Sequence, residues 1–231
     1  MTDQTFKQGR QGLIVTVDGP AGVGKSTVAR LLASRLGYVY LDSGALYRAL
    51  AWKVQAAGIA PADQQGVTDL LATTAIALEP ALGYTRVLVD GTDVAEEIRT
   101  PDISGIASVV SAYGKVREWL LPLQRNVGAS GGVVAEGRDL GTKVFPEADV
   151  KFFLEADVHV RAERRHRDVV AAGHAAKIEQ TAHEILARDE RDSTREQAPL
   201  MAAPDAWRID TSSMGIEAVV DHMLEMIANK L

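Results

Sequence analysis

The sequence predicts an α/β protein in which a five-stranded parallel sheet is flanked by helices. Three observations favour this fold class: short apolar runs rich in β-branched residues recur, segments of helical length separate them, and a glycine-rich turn joins the first run to the first helix. The 231 residues suffice for one large domain, or for a core with an insertion. No internal repeat occurs, which weighs against a solenoid.

The predicted strands are short, and four of the five lead into helical segments, as in a parallel sheet with helical crossovers. The first strand ends at a turn signal at 18–20, and the second helix carries Leu46, Leu50 and Val54 at helical spacing. The strands are expected at 13–17, 39–41, 133–135, 150–154 and 206–209. The helices are expected at about 24–36, 44–57, 102–129, 157–172, 178–197 and 214–229.

The interval from Gly58 to about Thr100 interrupts this alternation. A short helix is expected near 65–75, followed by an antiparallel hairpin of 76–78 and 86–89, with Gly83-Tyr84 between the runs and a turn at Asp90-Gly91. We therefore predict a small inserted unit that contains an antiparallel sheet, at about 58–108. Residues 1–11 are expected to form a flexible tail, and 12–231 a single domain that includes the insertion.

Composition excludes several classes of protein. Lys and Arg number 25 against 31 Asp and Glu, a net charge of −6, which disfavours a nucleic-acid partner. The absence of cysteine excludes disulfide frameworks, thiolate metal sites and cysteine nucleophiles. No apolar run is long enough to span a membrane, and no exposed apolar stripe stands out. We expect a cytoplasmic, soluble protein that is monomeric and has no membrane partner.

The motif that carries chemistry is the turn between the first strand and the first helix. It has the pattern G-x-x-x-x-G-K-S of a phosphate-binding loop, in which backbone N–H groups, a lysine and a helix N-terminus surround phosphate oxygens. Ser26 is placed to ligate Mg²⁺, mostly through waters, and the lysine faces the terminal phosphates of ATP. The predicted ATP-binding residues are Gly19, Pro20, Ala21, Gly22, Val23, Gly24, Lys25, Ser26 and Thr27.

Arginines form the second signal. One cluster lies at 161–167, another places Arg188, Arg191 and Arg195 on one helix face, and Arg138 directly follows a predicted strand. Interleaved acidic residues allow the alternative of solvated surface ion pairs. Together with a phosphate loop, however, the arginines favour phosphoryl transfer, which needs cations around the transferred group. No N-K-x-D guanine element and no kinase H-R-D loop is present.

Longer stretches of the chain resemble the bacterial cytidylate kinases of the nucleoside monophosphate kinase group. The most specific are Y-L-D-S-G-A-L-Y-R at 40–48, G-R-D-L-G-T-K-V-F-P at 137–146 and R-D-E-R-D at 188–192. The resemblance extends over almost the whole chain beyond the tail. It implies a P-loop kinase that transfers the γ-phosphoryl group of ATP, with Mg²⁺, to CMP or dCMP, giving ADP and CDP or dCDP.

The resemblance also implies roles for residues. Ser43, Arg117 and Asp139 would read cytosine, since a carboxylate accepts from the exocyclic amine that uracil lacks. The acceptor's phosphate would be held by Arg48, Arg138 and Arg195, and its sugar hydroxyls by Asp192 with Arg191. Arg99 would lie in the acceptor-binding insertion, and Arg161 and Arg165 would be donor-side arginines flanking a short lid at about 172–180. The implied catalytic set is Lys25, Arg138, Arg161, Arg165 and Arg195.

Two departures from the family pattern are visible: Ser26 stands where many members have glycine, and Glu136 where many have aspartate. Two alternatives remain at this point. One is a kinase of the same fold for UMP, AMP or a small metabolite such as shikimate. The other is a nucleotide-binding switch protein that has no acceptor substrate.

Overall fold

The computed structural model describes residues 12–81, 84–171, 173, 175 and 177–230. The predicted tail at 1–11 and Gly83 of the predicted hairpin turn lie outside the described residues, as do 172, 174 and 176 of the predicted lid. Within the described ranges, every helix is too short or too polar to cross a lipid bilayer.

The main sheet confirms the predicted fold class. Its five strands are all parallel and lie in the order β2-β6-β1-β7-β8, so the strand before the phosphate loop is central. Each strand begins and ends within a few residues of its predicted position. The strands are β1 (Ile14–Asp18), β2 (Val39–Asp42), β6 (Val133–Gly137), β7 (Val150–Glu155) and β8 (Trp207–Asp210).

Helices cover both faces of this sheet. Val15 and Val17 of β1 pack toward α1 (Lys25–Leu36) and α8 (Ile216–Lys230), whereas Ile14 packs on the opposite side, toward a π-helical turn at Leu140–Val144. All five residues of β1 are buried, as expected for a central parallel strand covered on both faces, although Thr16 and Asp18 on one face are polar. The helices α6 (Val158–Ala171) and α7 (Ile178–Thr194) lie near the phosphate loop and pack on each other.

The interval that interrupts the alternation forms a second sheet with a core of its own. The sheet is antiparallel, in the order β3-β4-β5, and Asp90 and Gly91, both with positive φ, connect its last two strands. Its apolar face packs with the buried side of α2, so α2 joins the two halves of the molecule. These elements are α2 (Ser43–Ala56), α3 (Gln64–Leu71), β3 (Ile76–Ala81), β4 (Tyr84–Val89), β5 (Thr92–Asp93) and a 3₁₀ turn at Glu97–Arg99.

The prediction of one helix over 102–129 is wrong. The segment contains two helices, α4 (Pro101–Val110) and α5 (Gly114–Gly128), separated by residues 111–113. The carbonyl of Ser111 is turned away from helical pairing and accepts a hydrogen bond from Arg117 Nη1 at 3.1 Å. This contact, between residues six positions apart, accompanies the break between α4 and α5, where helical propensity alone would continue one helix.

Candidate active site

A cleft of about 1200 Å³ opens at the carboxyl end of the parallel sheet. The register of the strands brings three functional segments there, because Asp18 at the end of β1 lies opposite Gly137 of β6, and Asp42 of β2 lies opposite Glu136. The phosphate loop, the start of α2 and the turn after β6 therefore meet at one edge. Helices α4, α6 and α7 complete the walls of the cleft. Ligands bind at this edge in open α/β sheets.

The phosphate loop has the backbone that its glycines allow. Gly22 and Gly24 have φ of 74° and 96°, in the left-handed region, and Gly24 is the N-cap of α1. A Cβ at Gly22 would lie 2.7 Å from the carbonyl oxygen of Arg161, and one at Gly19 would lie 2.4 Å from that of Leu154. Only glycine fits these positions without backbone movement. The N-terminus of α1 consequently faces the cleft, where its N–H groups suit an anion.

Lys25 is buried at the floor of the cleft. Its Nζ donates to the carbonyl of Pro20 at 2.6 Å, which keeps the ammonium beside its own loop. Burial lowers the pKa of Lys25 well below its ordinary value, and the charge of Arg138 lowers it further. An anion bound in the loop would oppose both effects and favour the charged ammonium.

Glu136 is the carboxylate near the loop hydroxyl. Ser26 is exposed to the cleft, and its side chain lies close enough to Glu136 to favour the charged carboxylate, which accepts from the Tyr40 hydroxyl at 2.6 Å. Burial and the neighbouring Asp42 raise the pKa of Glu136. Within the described ranges, no three histidine, cysteine, aspartate or glutamate side chains are grouped so as to hold a metal ion by themselves. The hard oxygens of Ser26 and Glu136 do suit Mg²⁺ that is carried in with phosphates and waters.

The two predicted donor-side arginines, Arg161 and Arg165, lie in different surroundings. Arg161 is buried behind the phosphate loop, where its Nη1 donates to the Ala21 carbonyl at 3.0 Å and pairs with Asp189. Asp189 in turn accepts from the Ala21 N–H at 2.9 Å, so this pair braces the loop from α6 and α7. Arg165 lines the cleft and makes no hydrogen bond or ion pair within the described part of the chain.

The far end of the cleft holds Asp139. Its carboxylate is buried between two guanidinium groups: Arg117 pairs with Oδ2, and Arg195 Nη2 lies 3.2 Å from Oδ1. Arg117 also stacks over the Tyr47 ring, 5.4 Å from its centroid. Ser43 is buried nearby, and its hydroxyl donates to the Glu136 carbonyl at 2.7 Å. The structure thus brings the three predicted base-reading residues, Ser43, Arg117 and Asp139, into one cleft.

A second buried carboxylate, that of Asp192, lies within ion-pair distance of three arginines. Arg138 Nε donates to Oδ2 at 2.9 Å, Arg195 Nη1 lies 3.6 Å from Oδ1, and Arg188 Nε lies 3.9 Å from Oδ2. Burial raises the pKa of Asp192, but the charges of Arg138, Arg188 and Arg195 outweigh it, and the net shift is downward. One carboxylate cannot neutralise three guanidinium groups. The centre of the cleft is therefore positively charged and suited to phosphate.

Arg188 is a candidate that the residue-by-residue prediction left without a role. Its Nε is buried and has no hydrogen-bond partner among the described residues. Burial, followed by the charges of Arg138, Arg48 and Arg165, lowers the pKa of Arg188 to about 9. The sequence did contain the signal, because Arg188 is one turn before Asp192 and shares a helix face with Arg195.

The other predicted arginines lie at the rim. Arg48 pairs with Asp42, the N-cap of α2, at 2.6 Å and lines the cleft. Arg191 is exposed and its Nε donates to Ser108 Oγ at 3.2 Å, so Arg188 rather than Arg191 shares the carboxylate of Asp192. Arg99 is exposed, donates to the Ala95 carbonyl at 3.1 Å, and is not part of the lining.

The chain that forms this phosphate loop and this arginine-clamped carboxylate is similar to known proteins over most of its length. The family model described as cytidylate kinase matches residues 15–229. The chain belongs to the cytidylate kinase family. A curated cytidylate kinase from Geobacter sulfurreducens is 47% identical over 222 residues, which cover 96% of this chain and 95% of that protein. The match therefore includes the inserted sheet and the cleft.

Other matches agree with this membership. A curated cytidylate kinase from Geobacillus kaustophilus is 44% identical over 222 residues, covering 96% of this chain and 99% of that protein. A solved structure of an uncharacterized protein from Eubacterium ventriosum covers 95% of this chain and 99% of that chain, with a TM-score of 0.51 and 10% identity. The last match shows a likeness of fold alone. The family resemblance expected from the motifs is confirmed.

Proposed function

We propose that this member of the cytidylate kinase family transfers the γ-phosphoryl group of ATP to CMP or dCMP, giving ADP and CDP or dCDP. One observation carries the proposal: a single cleft has a phosphate loop at one end, the clamped carboxylate of Asp139 at the other, and an excess of arginine charge between them. That order matches a donor triphosphate, the phosphoryl group in transit and an acceptor base. It does not call for a protein or nucleic-acid partner.

The donor half of the proposal assigns ATP to residues 19–27. The loop N–H groups and the N-terminus of α1 would surround the β-phosphate, with Lys25 moving from the Pro20 carbonyl to the terminal phosphates. Arg165 faces the same space from α6. The contacts of Arg161 with Ala21 and Asp189 indicate that Arg161 holds the phosphate loop from behind and does not contact ATP directly.

Mg²⁺ fits beside Ser26, where the side chain of Glu136 can hold its water ligands. When bound with ATP, the ion would supply charge neutralisation to the β- and γ-phosphate oxygens. This assignment gives Glu136 a role that the motif comparison left open. The carboxylate is buried close to the loop, and its hydrogen bond from the Tyr40 hydroxyl fixes its direction.

The acceptor's phosphate is assigned to the centre of the cleft. Arg138, Arg188 and Arg195 share Asp192, and Arg48 approaches from the start of α2. A dianionic phosphate there would offset the excess positive charge and would be held in line with the donor. Because the acceptor oxygen is already mostly ionised near neutral pH, no general base is required, and none is assigned.

Cytosine is assigned to the buried end of the cleft. Asp139 can accept a hydrogen bond from the exocyclic amine, while Arg117 can donate to the ring nitrogen or the carbonyl. Ser43 Oγ, whose proton donates to the Glu136 carbonyl, can accept from the second N–H of the same amine. Uracil would present a carbonyl oxygen to the carboxylate and leave both acceptors unpaired. A buried polar site of this kind discriminates strongly against an analogue that lacks the matching group.

Closure of the cleft is part of the proposal. The unit at about 58–108 would bind the acceptor, and the segment at about 172–180 would act as a short lid between α6 and α7. Together they would exclude water that could otherwise take the phosphoryl group in place of the acceptor. The sugar hydroxyls are assigned to Asp192, with Arg191 and Arg99 at the acceptor rim.

Replacing Asp139 by alanine is expected to lower kcat/KM for CMP about 100-fold, with a larger loss for dCMP, because a charge-assisted hydrogen bond to the base is removed. The ratio of kcat/KM for CMP to that for UMP should fall at least about tenfold, since the carboxylate that disfavours uracil is gone. Steady-state assays with both acceptors measure this. Asp102→Ala, which removes an exposed carboxylate on the rim of the same cleft, is the matched control. An unchanged CMP to UMP ratio in Asp139→Ala would remove Asp139 from base reading.

A further inference from the structure

Asp18, the last residue of the central strand, makes contacts that neither the donor site nor the acceptor site accounts for. It is buried, and it is not part of the cleft lining. Its two carboxylate oxygens accept hydrogen bonds from the backbone N–H groups of Leu140 and Gly141, at 2.9 and 2.8 Å. Asp18 therefore contacts the turn that follows β6 while it directly precedes the phosphate loop.

The two N–H groups belong to the start of the π-helical turn at Leu140–Val144. The first N–H groups of a helix lack partners within the helix and are commonly capped by the preceding side chain. Here the preceding residue is Asp139, whose side chain makes no capping hydrogen bond and points to Arg117 and Arg195. Asp18 supplies the missing cap from another strand, and so leaves Asp139 available to the cleft.

The surroundings are shaped for this contact. A Cβ on Gly141 would lie 3.4 Å from Asp18 Oδ2 and only 3.1 Å from Thr16 Oγ1, so the glycine permits the close approach. A buried carboxylate is costly unless several donors satisfy it, and Asp18 lies near the like charge of Asp139. The position that Asp18 gives to the turn after β6 explains why a carboxylate is buried here despite its free-energy cost.

The phosphate loop is held by other contacts. Lys25 donates to the Pro20 carbonyl, Asp189 accepts from the Ala21 N–H, and Arg161 donates to the Ala21 carbonyl. Loss of the Asp18 carboxylate would remove none of these hydrogen bonds, although it would remove a negative charge near Lys25. The turn that carries Arg138 and Asp139, in contrast, would lose two of its anchoring hydrogen bonds.

We infer that Asp18 is a positioning residue for acceptor selection: by capping the turn after β6, it sets Arg138 and Asp139 at the correct distance from the phosphate loop. The kinetic consequence rests on the proposed function, whereas the contact itself does not. A displacement of about 1 Å in such a site can lower turnover about 100-fold. The effect should appear in acceptor binding and base discrimination more than in ATP binding.

The test uses Asp18→Asn and Asp18→Ala, with Thr16→Val as the matched control. Asn keeps the volume of the side chain but offers one acceptor in place of two, and places an amide donor against the second N–H. Thr16 lies on the same face of β1 beside Gly141, and its buried hydroxyl has no hydrogen-bond partner among the described residues. If Asp18→Ala does not fold, Asp18→Asn provides the same comparison.

KM for CMP is expected to rise at least about tenfold in both Asp18 variants, and the CMP to UMP ratio to narrow, with KM for ATP within about twofold of wild type. Thr16→Val should behave like wild type. Equal increases in both KM values would show a general structural role and overturn the inference, as would unchanged values.

Hydrogen exchange of the amides at 140–141, followed by mass spectrometry of the ligand-free proteins, separates the inference from the proposed function. Loss of protection at these amides in the Asp18 variants, with protection retained in Thr16→Val, supports the capping contact. Retained protection in the Asp18 variants overturns it. If the wild-type protein fails to phosphorylate CMP, the proposed function is wrong, and the exchange result alone decides whether Asp18 holds the turn.

Discussion

Replacing Lys25 by methionine is expected to lower kcat about 1000-fold while leaving the folded protein at least as stable. The lysine ammonium is the one side-chain cation of the phosphate loop, and removing a preorganised charge from a phosphoryl-transfer site has an effect of this size. In the ligand-free protein the same group is buried and its pKa is lowered by burial and by Arg138. Removing the ammonium therefore removes the free-energy cost of burying a positive charge in the ligand-free folded protein.

Two measurements check this expectation: single-turnover assays with Mg·ATP and CMP, and the thermal midpoint of the ligand-free protein. Lys115→Met is the matched control, because Lys115 is exposed and makes a surface pair with Glu118 at 3.3 Å. Lys115→Met should match wild type in both measurements. A Lys25→Met protein with nearly unchanged kcat would contradict the assignment of the phosphate loop to the donor.

Replacing Arg188 by methionine is expected to lower kcat/KM for CMP by a factor of about 100 to 1000. The buried Nε of Arg188 lies 3.9 Å from Asp192 Oδ2 and makes no hydrogen bond among the described residues, so that a phosphate bound in the centre of the cleft would supply one. Burial and the nearby arginines hold its pKa at about 9, below the value of about 12.5 that applies in the unfolded chain. At pH 7 the charged form is therefore destabilised by folding, and this penalty is lost only as the pH rises above about 9.

The ligand-free Arg188→Met protein should consequently unfold at a higher temperature than wild type at pH 7, because Asp192 keeps Arg138 and Arg195. Added CMP should raise the thermal midpoint of the variant less than that of wild type. Arg35→Met, which removes an exposed arginine paired with Asp221 on α8, is the control for loss of one positive charge. A variant with reduced ligand-free stability and normal CMP turnover would show that Arg188 is structural.

The central strands β1, β6 and β7 could be predicted because a parallel strand that is buried on both faces stands out as an apolar run. The edge strands β2 and β8 are only partly buried and were predicted from their short apolar runs before a turn. The break at 111–113 was not predicted, because helical propensity continues through Ser111, Ala112 and Tyr113, and a single glycine such as Gly114 is tolerated inside a helix. The contact between Arg117 and the Ser111 carbonyl that accompanies the break is visible only in the structure. The third strand of the small sheet, two residues long, was likewise too short to predict.

In the candidate site, too, some features could be predicted from the sequence and others could not. The glycine spacing identified the phosphate loop, because only glycine adopts its backbone, and the motifs brought Ser43, Arg117 and Asp139 to the cleft. The arginines could not be sorted by sequence, since Arg161 and Arg165 alternate with acidic residues on one helix in the same way. Which of them braces the loop depends on Asp189, a residue 28 positions from Arg161. The missing role of Arg188 and the cap by Asp18 also depend on contacts between distant elements.

The most direct measurement is ADP release by the purified protein with Mg·ATP and, in parallel, CMP, dCMP, UMP, AMP, GMP and shikimate. The expected result is fast turnover with CMP and dCMP and turnover with UMP slower by a factor of at least about 100. Preference for another acceptor would keep the kinase reaction but contradict the roles of Ser43, Arg117 and Asp139. ATP binding without turnover dependent on any acceptor would contradict the proposed reaction and favour a nucleotide-binding switch.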